Sequence, residues 1–136
     1  MPEVFSKKIS LLKGYASNLA DFLAKCRGDK KPDDAVFLSI ERLFQLMVDE
    51  AVDINAMILE QEHKPFPDTN QGTFETLADI GIISKGLRAK IAGSVGLRNR
   101  LVHRYETVQK KVLVEEAVKY LAAYKEYLVV IVKKFL

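Results

Sequence analysis

Cysteine appears once in this chain of 136 residues, tryptophan not at all, and histidine only twice. The lone Cys26 has no internal partner for a disulfide, so nothing points to an oxidising compartment, and a cytoplasmic location is expected. A metal site is not expected either: Cys26 has no neighbouring His or Cys in the sequence, and His63 lies beside prolines where solvation is the natural outcome. No cofactor is expected. The sequence also lacks a long apolar run. The longest near its end, residues 127–132, spans six residues before Lys133 and Lys134, whereas a membrane-spanning helix needs about 20; no membrane partner is expected. The first eight residues carry no apolar stretch behind a basic one, so no signal peptide is expected. Repeats, low-complexity tracts and strand-like alternation are missing as well.

What the chain does contain is helical periodicity. Apolar residues make up 49% and charged residues 29% of the sequence, a balance that suits a globular protein able to bury a core. Phe5, Ile9, Leu12, Tyr15, Leu19, Phe22 and Leu23 recur at spacings of three and four, predicting a first helix over about residues 3–25. Gly28 through Pro32 ends it. A longer helix is predicted over 33–62, N-capped by Asp33 or Asp34. Its apolar residues cover more than half the circumference, which predicts burial on two sides, against the bundle and against a second subunit. His63 through Asp68 forms a loop, because each of Pro65 and Pro67 keeps the residue before it out of helical geometry. A short helix over about 71–80 ends at Gly81; a helix capped by Ser84 runs to about 105; a turn over 107–110 leads to a last helix over 112–136. There Glu115 and Glu116 lie near the positive end and Lys133 and Lys134 near the negative end. The expected fold is all-α, a single domain over residues 1–136, built as an antiparallel four-helix bundle with one additional short helix.

Charge is unevenly spread. Residues 33–79 hold eleven carboxylates against Arg42 and Lys64, a net −9, while residues 81–111 hold eight Lys or Arg against Glu106 alone, a net +7. Such asymmetry predicts either a polyanionic ligand or pairing of the two segments, within the fold or across a dimer.

The most informative stretch is Arg98-Asn99-Arg100-Leu101-Val102-His103-Arg104-Tyr105. On a continuous helix of about 100° per residue, Leu87, Ile91, Val95, Leu101, Val102 and Tyr105 gather into one core-facing stripe, and Arg98 falls inside it. An arginine there must pair with a carboxylate, for which Asp49, Asp53 and Asp79 are candidates, or extend its stem to a groove. Asn99 and His103, four apart, share one edge of the same helix, so the amide is placed to orient the imidazole. Ala92 and Gly96 leave that edge bare upstream. Gly93 and Gly96 each cost about 1 kcal/mol relative to alanine inside a helix, and close approach by another helix or a ligand is the natural compensation. Imidazole exchanges protons near neutrality and guanidinium matches phosphate oxygens two at a time. Together they suit cleavage of an RNA phosphodiester by its own 2′-hydroxyl. A structural ion pair for Arg98 and a packing role for His103 are the plainer alternatives.

These residues resemble a known signature. Arg98 and His103 separated by four residues, with Asn99 after the arginine and Tyr105 two after the histidine, are similar to the Arg-x4-His-x-Tyr motif of the HEPN superfamily and its HepT-like branch. The likeness includes Glu50 through Asn55, Phe74 through Ile83, and Gly96 through His103, covering the chain from Leu46 onward, with the first helix alike only in length and character. It implies a helical homodimer with motif helices facing one another, acting as a metal-independent ribonuclease toxin paired with a nucleotidyltransferase antitoxin. By position it makes Arg98 and His103 catalytic, Asn99 supporting, and Tyr105 an acceptor of AMP, with Asp53 a supporting partner at most. The competing class is a non-catalytic nucleotide-binding or scaffolding module that docks a nucleotidyltransferase.

Overall fold

Phe5, Ile9, Leu12, Ala16, Leu19 and Leu23 wind into the buried face of α1, Glu3–Ala24. This computed structural model describes residues 1–26, 32–103 and 108–136; most of the expected break at 28–32, the turn at 107, and Arg104 and Tyr105 of the motif lie outside the described residues. Helix α2, Asp34–Gln61, starts where the Asp33 carboxylate accepts the Val36 N–H at 2.8 Å, satisfying one of the donors a helix start leaves unpaired. Thr69 caps α3, Asn70–Asp79, in the same way, and Ser84 caps α4, Lys85–Ile91. Gly81 takes φ +81 between them, a backbone conformation that glycine adopts without steric cost. Helices α5, Ser94–Val102, and α6, Lys110–Phe135, complete the chain.

Pairwise contacts set the directions. Lys8, near the start of α1, reaches Glu50 and Asp53 in the second half of α2, and Phe5 meets Phe135 at the end of α6 edge-on, 6.0 Å between ring centres. Both neighbours of α1 are therefore antiparallel to it. Lys90 faces Glu126 and Ser94 faces Tyr124, so the α4–α5 segment also runs against α6. Asp34 meets Lys110 and Asn55 meets Tyr127, placing α2 and α6 parallel on the diagonal. The result is an all-α, up-and-down four-helix bundle with α3 as the additional short helix. Among the described residues no helix is long and apolar enough to cross a membrane.

Two expectations change. The broad apolar stripe of α2 needs no second subunit to explain it, because α1, α3, α5 and α6 of the same chain all pack on it. The helix expected over 84–105 is two helices, broken at Ala92 and Gly93. Gly93 is a weak helix former. Beside it Ser94, fully buried, donates its hydroxyl to the Ile91 carbonyl at 2.6 Å and shares a 2.7 Å hydrogen bond with the Tyr124 hydroxyl, a side-chain alternative to the helical ladder. The Tyr120 hydroxyl lies only 2.6 Å from where a Cβ on Gly93 would stand, so a larger residue there displaces the tyrosine side chain. The break shifts the phase of α5: Ser94, Val95 and Leu97 turn inward, while Val102, expected in the core stripe, is 43% exposed.

Candidate active site

Leu97 packs inward beside Arg98 and brings the arginine to the rim of the bundle, where α5 lies along α2. Met47 and Val48 hold the preceding turn of α2 in the core, which leaves Asp49 facing out toward the arginine. The Arg98 Nε–H donates to one Asp49 carboxylate oxygen at 2.8 Å and Nη2 donates to the other at 3.2 Å. Of the three carboxylates the sequence offered, this is the one used: Asp53 pairs with Lys8 and Asp79 is exposed at the end of α3. The Arg98 side chain is 28% exposed and Asp49 42%, so the pair stands at the bundle surface and bridges α2 and α5. Nη1 donates to the Asn99 side-chain carbonyl at 3.4 Å. A guanidinium has five N–H donors; three are engaged by these described partners, and the remaining two have no partner among the described residues.

His103 is placed differently from expectation. It has left the helix: it caps α5 with φ −79° and ψ 114°, an extended conformation, and it is exposed. Its backbone N–H still donates to the Asn99 carbonyl at 3.2 Å. That bond keeps His103 one helical turn beyond Asn99, and the chain becomes extended after it. The amide turns toward Arg98, and the imidazole is carried on the first residue beyond the helix. The structure brings together Arg98, Asn99 and Asp49, and sets His103 at the same end of α5. The expectation for Tyr105 lies outside the described residues.

The polar residues behind the site are fully enclosed. The Tyr127 hydroxyl donates to the Asn55 side-chain carbonyl at 2.5 Å, and the Asn55 amide donates to the Thr73 hydroxyl at 3.0 Å. Thr73 in turn donates to the Asn70 carbonyl at 2.6 Å. This chain ties α6 to α2 and α2 to α3. Burial raises the phenol pKa of Tyr124 and Tyr127, which keeps both as neutral packing groups rather than acids. Cys26 is buried with its Sγ against the Phe22 carbonyl. Among the described residues nothing lies within 4 Å of where a Cβ on Gly96 would stand, whereas Ala92, the other residue of the expected bare edge, is buried in the core.

The charged segments pair in part. Arg98 with Asp49 and Lys110 with Asp34 at 2.6 Å join the basic segment to the acidic one, while Lys85, Arg100 and Lys111 stay exposed. Two turns before Asp49 on the same side of α2, Glu41 is half-buried, and burial raises its pKa. A folded state that holds this proton more tightly than the unfolded chain loses stability as pH rises through the carboxylate range. Glu41→Gln is therefore expected to stabilise the protein at neutral pH, with the gain vanishing near about pH 4 as the carboxyl protonates in both states. Urea melts of the two proteins at both pH values check this; a difference that does not change with pH counts against it.

The architecture is that of a helical bundle with an arginine–histidine pair at the end of one helix. Comparison with known proteins identifies its kind. Residues 9–131 match the HepT-like family, described as Ribonuclease HepT-like, so the likeness reaches into α1 and not only from residue 46 onward. A tRNA nuclease HepT from Aphanizomenon flos-aquae is 34% identical over 107 residues, 79% of this chain and 73% of that protein. An mRNA nuclease HepT from Shewanella oneidensis is 24% identical over 134 residues, 96% of this chain and 98% of that protein. The structure of a tri-AMPylated Shewanella oneidensis HEPN toxin in complex with MNT antitoxin shares the fold, with a TM-score of 0.86 at 23% identity over 96% of this chain and 98% of that one. The Bacillus subtilis cytosolic protein YutE aligns with a TM-score of 0.79 at 16% identity, covering 95% of this chain and 88% of its own. The chain belongs to the ribonuclease HepT-like family.

Proposed function

We propose that this chain is the RNA endonuclease toxin of a toxin–antitoxin pair, a single cytoplasmic domain over residues 1–136 that cleaves RNA without metal as a homodimer. The observation that carries this is the combination of family membership with an arginine whose outer N–H groups remain open beside the histidine-bearing end of α5. In the proposed reaction a 2′-hydroxyl attacks the adjacent phosphorus. The new P–O2′ bond forms as the P–O5′ bond breaks, leaving a 2′,3′-cyclic phosphate. Arg98 stabilises charge building on the non-bridging oxygens, Asn99 steadies the guanidinium, and His103 transfers the proton. One imidazole does not serve as base and acid on opposite faces of phosphorus at once, and a second copy across a twofold axis supplies the other. The unfilled edge at Gly96 is the place where that copy approaches. A nucleotidyltransferase antitoxin is the proposed partner, and Tyr105 the proposed AMP acceptor.

The Arg98–Asp49 pair favours a second reading, in which the arginine is a structural tie and the bundle only docks the nucleotidyltransferase. Purified protein incubated with tRNA and mRNA in EDTA separates the two. Cleavage to cyclic-phosphate ends that His103→Ala abolishes is expected, together with a mass by light scattering near twice 15.4 kDa that Gly96→Leu shifts toward monomer. Intact RNA under these conditions would support the docking module instead.

A further inference from the structure

We propose that Asp49 is a positioning residue for RNA cleavage, acting through Arg98; this rests on the ribonuclease reading above. The pair's contribution to stability is small, because ion pairs exposed to this degree are offset by solvation and side-chain ordering. Its geometry is more consequential. Both carboxylate oxygens are engaged, at 2.8 and 3.2 Å, by the Nε–H and Nη2 groups of one guanidinium. A fork of this kind fixes the plane of the guanidinium as well as its position, and it leaves one hydrogen on Nη2 and one on Nη1 without a partner among the described residues. Asp49 is itself well anchored. Val48, Ala51 and Val52 around it are buried, and six residues along α2 Asn55 is locked between Tyr127 and Thr73. The carboxylate therefore acts as a fixed jig for a long side chain that otherwise samples many rotamers. Donors that are already aligned when charge develops need no reorganisation in the transition state.

The same carboxylate has a second effect of opposite sign. A negative charge beside the guanidinium weakens attraction for an RNA phosphate in the ground state. Removing it is expected to separate binding from turnover: affinity stays level or rises while the rate of the bond-breaking step falls. A residue that only held the fold together would move neither quantity without also moving stability.

Single-turnover cleavage and RNA affinity, measured for wild type, Asp49→Asn, Asp49→Glu and Arg98→Ala and for the Arg98→Ala/Asp49→Asn double variant, test this. Asp49→Asn is expected to slow cleavage at saturating RNA by about tenfold or more, without loss of affinity. Asp49→Glu recovers part of that loss, because it keeps the charge and both oxygens. On the Arg98→Ala background Asp49→Asn has no further effect. NMR of the arginine Nε–H groups supplies a readout independent of RNA: the Arg98 resonance is protected from exchange in the wild type and loses that protection in Asp49→Asn. Arg98-dependent cleavage at an unchanged rate in Asp49→Asn overturns the positioning role alone. An equal loss with and without Arg98 also overturns it, by showing that Asp49 acts elsewhere. A wild type that leaves RNA intact overturns both this role and the ribonuclease reading.

Discussion

Arg98→Ala is expected to lower the rate of RNA cleavage by about 10²- to 10³-fold, the usual consequence of removing one preorganised donor from a developing oxyanion. Arg98→Lys is expected to recover little, since an ammonium offers a point charge and lacks the planar fork that matches Asp49 on one edge and a phosphate on the other. Neither change should unfold the protein. Removing the arginine leaves Asp49 unpaired, but that side chain is 42% exposed and water can satisfy it, so circular dichroism and the melting temperature should stay close to wild type. Asn99→Ala should cost much less, because its 3.4 Å contact with Nη1 is at the long end for a hydrogen bond. Arg98→Ala retaining wild-type cleavage would reduce the guanidinium to a tie between α2 and α5.

Legibility in the sequence differs from element to element. The three long helices α1, α2 and α6 are readable because their apolar residues repeat at three and four over many turns, and Asp33 and Ser84 stand where caps are needed. The interruption at Gly93 is not. Two glycines mark the region as weak, but the break falls beside Ser94, whose hydroxyl is held by Tyr124, 30 residues away. That break in turn governs the phase of α5, so spacing alone puts Val102 in the core, where the structure leaves it 43% exposed. Arg98 is recognisable as a cation on an apolar face needing a carboxylate. The choice among three candidates depends on helix facing and on Lys8 having already engaged Asp53. Asn55 carries the same signal as Arg98, a polar group in the apolar row between Ala51 and Leu59, and reasoning from the cost of burial points to it as well; its partners Thr73 and Tyr127 are set only by the fold.

The second large effect is expected at Asn55. Asn55→Ala opens a small cavity and strips the Tyr127 hydroxyl of its 2.5 Å partner, leaving only the long contact with the Ala51 carbonyl at 3.4 Å. An orphaned buried hydroxyl costs about 1–3 kcal/mol, and the lost packing adds to it, so a destabilisation of about 3 kcal/mol is expected. For a chain of this size that corresponds to roughly a 10 °C fall in melting temperature. Tyr127→Phe alone should cost about 1–3 kcal/mol, because it leaves the Asn55 carbonyl without its donor. On the Asn55→Ala background the same change should cost almost nothing, since the hydroxyl it removes has only the long contact with the Ala51 carbonyl to lose. Calorimetry on the four proteins reads the coupling directly, and costs that simply add within about 0.5 kcal/mol would mean Asn55 and Tyr127 do not act as one unit. The coupling matters for the site because the network fixes the helix that carries Asp49. A buried polar chain that is fully satisfied admits one register of α2 against α3 and α6, where an apolar substitute would admit several. Variants of Asn55 that still fold are therefore expected to lose Arg98 Nε–H protection along with stability, with no change at the arginine itself.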